Sequence, residues 1–284
     1  MDSATLQVAI YQERRDVVTL LLAGGGDTEI PSSMDQTALY MASSCGYADV
    51  VQSLIDRGAD PNAFCKGCDE HDHDVKWTPL HAAIYKEHRD IVLLLLEAGA
   101  DTETRSSRNK TALYMATSRG CADIVRQLIS HGADLNAECE DLGMYYNVVM
   151  WTPLHGALRN GIPLIARMLL EHGANPNAPD NLDRTALHLA SSLGQIADIK
   201  LLLEHGANVD VRDKDGYTPL HKAAYHLNLQ VVVVLLNCGS DPHSRNNKGE
   251  TPIQLGKARR PSWVSKEDQA QIIRLLSDRT RERM

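Results

Sequence analysis

A single Phe and three Trp in 284 residues leave almost no aromatic bulk for a core, so the interior must be aliphatic. No apolar run reaches the length of a membrane-spanning helix, and Gln7, Gln12, Glu13, Arg14, Arg15 and Asp16 interrupt the N-terminal stretch, which carries no leader pattern. Positive charge is in deficit: 29 Lys and Arg against 37 Asp and Glu give a net charge of −8 and a pI near 5.8. That balance argues against nucleic acid or an anionic membrane as the main partner, because phosphate backbones require local positive charge; a local basic strip stays open. The nucleophile elbow, the phosphate-binding glycine loop, HExxH and the dinucleotide fingerprint are all missing, which removes the common motif-bearing enzyme classes.

What is present is repetition. WTPLHAAI begins at Trp77 and returns as WTPLHGAL at Trp151. Weaker versions start at Thr37, Thr111, Thr185, Thr218 and Thr251, and Ala4-Thr5-Leu6 is a worn first copy. Successive anchor threonines are 41, 33, 41, 33, 33 and 33 residues apart, so the period is 33 and two steps carry 8 extra residues. A second phrase follows each anchor, as in DRGADPNA, EAGADTET, SHGADLNA and EHGANPNA. From the Asp or Asn of that phrase to the next anchor is 10 residues in five repeats, but 18 from Asp60 to Thr78 and from Asp134 to Thr152. Both insertions therefore lie in the turn between one helix pair and the next.

The chemistry of one copy predicts its shape. Asp213-Lys214-Asp215-Gly216 is a turn in which Gly216 takes positive φ; Gly249, Asn109, Asp183 and Asp35 fill the same slot elsewhere. Thr218 sits at a helix N-cap and Pro219 at the first helical position. Small Ala residues on the first helix let neighbours approach, the second helix carries a bulky apolar stripe, and Gly239 ends it.

A 33-residue period with T-P-L-H-x-A is the signature of the ankyrin repeat, and the chain resembles that family over essentially its whole length. The resemblance implies an all-α solenoid of helix-turn-helix repeats with β-turn fingers, two of them lengthened by 8 residues. One elongated domain over 1–284 is expected: a cap repeat over 1–30, duplicated two-repeat modules over 31–104 and 105–178, regular repeats over 179–260, and a cap helix with a basic tail over 261–284. Ser265 and Asp268 have capping-box spacing at the start of that last helix. With both ends capped, a monomer is expected.

In this family the fingers and first helices line a concave groove, and partner contacts come from the residue before the anchor Thr and from seven and eight residues after it. The resemblance thus implies Trp77, Tyr85 and Lys86 in one repeat and Lys110 and Arg119 in the next. Trp151, Arg159 and Asn160 follow, then Arg184, then Tyr217, Tyr225 and His226. On the N-terminal side the same positions are blander: Tyr11, Gln12, Gln36, Ser44 and Cys45. Trp, Tyr and Arg dominate interface hot spots. The expectation is a site in the middle of the groove, bracketed by the long fingers with Tyr145 and Tyr146 on the second. It would take a protein or peptide with an acidic or carboxylate group and apolar contacts. Trp77 and Trp151 packed beneath their own fingers is the competing reading.

Cys65, Cys68, His71 and His73 offer two thiolates and two imidazoles within nine residues, the ligand types of a structural zinc. The two histidines stand closer than usual and the sister finger keeps only Cys139, so a solvated polar loop without cofactor is expected and zinc is the alternative. The six cysteines share no common repeat position, which fits reduced thiols in a cytoplasmic or nuclear protein. Of twelve histidines, His81, His155, His188, His221, His131, His172, His205 and His88 belong to the repeat frame. A non-catalytic interaction module is the resulting expectation. The alternative is a small-molecule or acid-base catalytic pocket in the same groove, using His226, Tyr225 or Tyr85.

Overall fold

The computed structural model describes residues 3–67, 75–142, 148–258 and 266–282. Helices come in pairs: α1 (Ser3–Tyr11) with α2 (Arg15–Ala23), α3 (Ala38–Cys45) with α4 (Ala48–Ile55), α5 (Pro79–Tyr85) with α6 (Arg89–Glu97), and α7 (Ala112–Arg119) with α8 (Ala122–Ser130). The second half continues with α9 (Pro153–Arg159) and α10 (Pro163–Glu171), α11 (Ala186–Leu193) and α12 (Ile196–Glu204), α13 (Pro219–His226) and α14 (Leu229–Asn237), and α15 (Pro252–Ala258) and α16 (Lys266–Glu282). The expected helical repeat class is what the chain adopts. None of the described helices is long and apolar enough to cross a membrane.

The long fingers add strand. β1 (Cys65–Gly67) pairs antiparallel with β2 (Val75–Trp77), Cys65 opposite Trp77, and β3 (Cys139–Leu142) forms a second ribbon with β4 (Val148–Trp151). Eight extra residues exceed what a turn can satisfy by itself, and two extended arms bond each other's backbone instead.

Packing divides the chain into two compact units, Met1–Glu140 and Asp141–Met284. In the first, α1, α3, α5 and α7 pack in succession, and α2, α4, α6 and α8 form the second row; in the other, α9, α11, α13 and α15 are backed by α10, α12, α14 and α16. The cores are aliphatic, with Leu39, Leu54, Leu80, Ile84, Leu95 and Leu113 buried in unit 1 and Leu154, Ile165, Leu187, Leu202, Leu220 and Leu235 in unit 2. Close approach of the first helices depends on one small slot: Ala42, Ala83, Ala116, Ala157, Ala190 and Ala223 are all fully buried. The first helix pair, expected to be a cap, leaves Val8, Tyr11 and Leu20 exposed. Ser265, half of the expected capping box, lies outside the described residues.

The turn slot is a backbone requirement, as the residue types imply. Asp35, Asn109, Asp183, Gly216 and Gly249 all have positive φ, between 54° and 76°.

At each TPLH or TALH phrase the Thr and His act together. In α5, Thr78 N–H donates to His81 Nδ1 at 3.3 Å and Thr78 Oγ1 lies 2.8 Å from the same nitrogen; Thr185 with His188 and Thr218 with His221 repeat the pair of contacts. Because Nδ1 accepts, the proton sits on Nε2, which donates to a carbonyl one repeat further on: His81 to Lys110 O, His155 to Arg184 O, His188 to Tyr217 O, His221 to Glu250 O, at 2.9–3.4 Å.

The phrases without His use other acceptors: at Thr251 the N–H donates to Gln254 Oε1 at 2.8 Å, and at Thr37 and Thr111 the acceptor is sulfur. Thr37 N–H and Thr111 N–H each donate to a thiol of the following finger, Cys65 Sγ and Cys139 Sγ, both at 3.4 Å. The two thiols lie toward Ala63 O and Ala137 O at 3.8 Å. Cys65 and Cys139 thus share one structural position, which corrects the reading of scattered cysteines. Cys65, a candidate zinc ligand, is buried facing the helix cap; Cys68, His71 and His73 lie outside the described residues.

Two outcomes follow. Burial lowers the pKa of His81, His155 and His188 from 6.5 to about 4, and that of His221 in the same direction. Between those values the unfolded state binds more protons than the folded one, so stability is full above pH 6.5 and falls as pH drops toward 4. Urea unfolding at pH 7.5 and 5.0 is expected to show a loss on the order of 2 kcal/mol for each of His81, His155 and His188; equal midpoints would contradict the neutral-histidine frame. Iodoacetamide should modify Cys45 and Cys238, which are exposed, in the folded chain, and Cys65 and Cys139 only in urea, as peptide mass spectrometry would show.

Candidate functional site

Two clefts in unit 1 share a wall. Trp77, last in β2, and Tyr85, last in α5, pack with ring centroids 4.8 Å apart. On one side lies a cleft of about 220 Å³ bounded also by Ser106, Arg108, Lys110, Met115, Ser118 and Arg119. On the other is a space of about 170 Å³ with Tyr11, Gln36, Tyr40, Ser44, Cys45 and Lys86. Lys110 precedes the anchor Thr111 and Arg119 ends α7, so backbone positions fixed by the repeat aim both into the larger cleft. Arg119 lies 4.6 Å over the Tyr85 ring and bonds Glu87 at 3.2 Å, while Lys110 lies 5.6 Å from the Tyr114 ring centre.

Unit 2 holds a cleft of about 360 Å³ lined by Trp151, Asp180, Arg184, Asp215, Tyr217, Lys222, Tyr225 and His226, with His155 and His188 at its floor. Its Arg184 and Lys222 are paired. Asp180 Oδ2 accepts from Arg184 Nε at 2.8 Å and from Trp151 Nε1 at 3.4 Å, and Arg184 Nη2 lies 2.6 Å away. Burial opposes charge on Asp180, but bonds from the Arg184 side chain and backbone and from Leu182 N–H outweigh it and hold the pKa below the usual carboxylate value. Lys222 Nζ meets the buried Asp213 at 2.7 Å and sits 4.4 Å over the Tyr217 ring.

One slot, five residues after the Asp or Asn of the GAD phrase, explains the difference. Asp180 Oδ1 accepts the N–H groups of Leu182 and Arg184, and Asp213 Oδ1 those of Asp215 and Tyr217, pinning their turns and leaving the other oxygen for a cation. In unit 1 the slot is Ser106, whose Oγ accepts from Lys110 N–H. The turn is pinned there too, but no carboxylate is supplied.

The expected site residues therefore separate. Trp77, Tyr85, Lys110 and Arg119 come together in unit 1, with Lys86 on the far side of the aromatic wall. Trp151, Arg184, Tyr217, Tyr225 and His226 come together in unit 2. Arg159 covers the Trp151 ring at 5.0 Å, and Asn160 is an exposed residue just past α9; neither lines the cleft. Tyr145 and Tyr146 lie outside the described residues. Both tryptophans are buried, Trp77 at 5% and Trp151 at 2% exposure, so each serves as cleft wall and finger packing at once. Sequence reasoning missed Ser106, Arg108, Asp180, Asp213 and Lys222; for Ser106, Asp180 and Asp213 the slot five residues past each GAD phrase was the available signal.

Comparison with known proteins fits this architecture. The family model described as ankyrin repeats (3 copies) matches residues 2–65, 63–139, 101–180, 139–213 and 175–246. Human B-cell lymphoma 3 protein is 34% identical over 184 residues, 63% of this chain and 37% of that protein. The ankyrin repeat and KH domain-containing protein mask-1 of Caenorhabditis elegans is 33% identical over 132 residues, 46% of this chain and 5% of that protein. The chain thus spans well under half the length of these relatives. The solved ankyrin repeat domain of Bcl-3, titled a unique member of the IkappaB protein family, matches with a TM-score of 0.68 and 26% identity over 83% of this chain and 97% of that one. With its repeats matched from residue 2 to residue 246, the chain belongs to the ankyrin-repeat family.

Proposed function

We propose that the chain is a non-catalytic protein-interaction module whose larger unit 1 cleft holds an acidic residue of a partner protein. The observation that carries this reading is the lining of that cleft: Arg108, Lys110 and Arg119 beside the Trp77–Tyr85 wall, with no carboxylate among the described lining residues. Cations carried on aromatic faces keep their charge while presenting an apolar surface beside it, which suits an Asp or Glu flanked by apolar side chains. The unit 2 cleft has cations too, but Arg184 and Lys222 already meet buried carboxylates of their own repeats.

The two histidines at the floor of the unit 2 cleft favour a non-catalytic role. His155 and His188 have both ring nitrogens committed to the frame, to Thr152 and Arg184 O and to Thr185 and Tyr217 O. A ring held neutral in that way by its own backbone is poorly placed to shuttle a proton.

Selection of random peptides on the immobilised chain tests the reading. Enriched sequences should carry Asp or Glu next to apolar residues, and Lys110→Ala/Arg119→Ala should weaken the best of them by roughly ten-fold or more. Enrichment without acidic residues, or unchanged affinity in the variant, would sink it. The two clefts should also differ in stability measurements. Lys222→Met strands the buried Asp213 and should lose roughly 2–4 kcal/mol in urea unfolding. Lys110→Met, where the slot residue is the neutral Ser106, should lose clearly less than Lys222→Met.

A further inference from the structure

Thirteen residues past the anchor threonine lies a slot in the second helix that five repeats fill with apolar side chains. Val50, Ile91, Ile124, Ile165 and Val231 occupy it, and all are buried. In the α11–α12 repeat the slot holds Asp198, only 6% exposed. The acid that opens α4, α6 and α8 stands one residue earlier in the repeat, as the exposed Asp49, Asp90 and Asp123. One residue is about 100° around a helix, enough to turn a carboxyl from solvent into the core.

Among the described residues, nothing compensates that carboxyl. Asp198 Oδ1 is buried without a hydrogen-bond partner. Gln195, three residues earlier and so on the same side of the helix, gives its Nε2 to Leu158 O at 2.7 Å and leaves its Oε1 buried without a donor. α12 packs on α10, α11 and α14. α14 carries no charged residue; Arg167 and Glu171 of α10 are more than half exposed and lie 4.0 Å from each other, and His188 of α11 is committed to Thr185 and Tyr217 O. On α12 itself Lys200 and Glu204 are exposed, and His205 at its end bonds Leu201 O. None of these groups pairs with Asp198, and burial alone raises its pKa above the usual carboxylate value. An ionised carboxyl in that slot is costly, whereas a protonated one is neutral and has a hydrogen to donate.

We propose that Asp198 makes the α11–α12 repeat a proton-controlled joint, packed while the carboxyl holds its proton and opening locally when that proton is lost to water. A solenoid repeat is held only by its own helix pair and its immediate neighbours, so one interior repeat can loosen without global unfolding. α11 supplies His188, Leu189 and Ser192 to the unit 2 cleft, so opening removes one side of that cleft. By linkage, the closed repeat binds the proton more tightly than the open one. The penalty is absent below the ordinary value of 3.8, grows as pH rises and is complete above the raised value. This runs opposite to the frame histidines, which weaken the fold as pH falls.

The test is hydrogen–deuterium exchange of the full chain, read by mass spectrometry from pH 5.0 to 7.5 and normalised to the unfolded chain at each pH. Each variant is compared with the parent at the same pH, which cancels the histidines. Asp198→Val installs the residue type that the slot holds at Val50 and Val231. At pH 7.5 it should raise protection in peptides from 186–204 by about ten-fold or more, since each unit of pKa shift is a ten-fold factor. The gain should shrink toward the acidic end. Asp198→Asn, neutral and nearly the same shape, should follow the same trend with pH, while peptides from α10 and α14 change clearly less. No gain at pH 7.5, or a gain that does not vary with pH, overturns the proposal. An equal gain across α10, α12 and α14 is global stabilisation and overturns the local joint. A gain in the Val variant alone assigns the effect to apolar packing and overturns the proton control.

Discussion

The N–H of each anchor threonine must find an acceptor inside the protein, and the way it does so governs the rest of the structure. A histidine three residues on accepts it through Nδ1. That fixes the tautomer, so the opposite nitrogen can only donate, and the carbonyl it reaches belongs to the next repeat. One ring therefore caps a helix and spaces its neighbour. Where the histidine is missing, a thiol from the next finger accepts at Thr37 and Thr111, and the Gln254 side chain accepts at Thr251. The histidine and thiol routes make the spacing between those repeats a property of buried frame atoms.

That separation explains which features could be read from the sequence. The period, the positive-φ slot, the N-cap and the Ala slot are backbone demands, each met by few residue types, so they show in the letters. The thiols of Cys65 and Cys139 do not, because a sulfur accepting a hydrogen bond has no characteristic spacing, and Cys65 beside Cys68, His71 and His73 resembles a metal set more than a cap. Lys110 and Arg184 likewise occupy the same repeat position and look alike as letters. What separates them is Ser106 against Asp180, a difference that matters only once the turn brings the slot beneath the cation.

The tryptophans show the same limit. Their position before the anchor marks them as groove residues, but β2 and β4 carry them inward, where Trp77 meets Tyr85 and Trp151 meets Asp180 and His155. Burial of most of an indole does not remove it from a cleft; it makes a rigid wall of it, and a wall that does not move loses little entropy on binding.

The finger slot has an evolutionary corollary. Ser106, Asp180, Asp213 and Asn246 all hold their own turn through a side-chain oxygen, so the slot can change among these types without disturbing the helices it introduces. Exchanging one such residue alters the electrostatic character of a single cleft while neighbouring repeats keep their geometry. A repeat can drift in specificity through changes nearly neutral for folding, and two equivalent turns 74 residues apart carry that difference, Ser106 below Lys110 in one and Asp180 below Arg184 in the other.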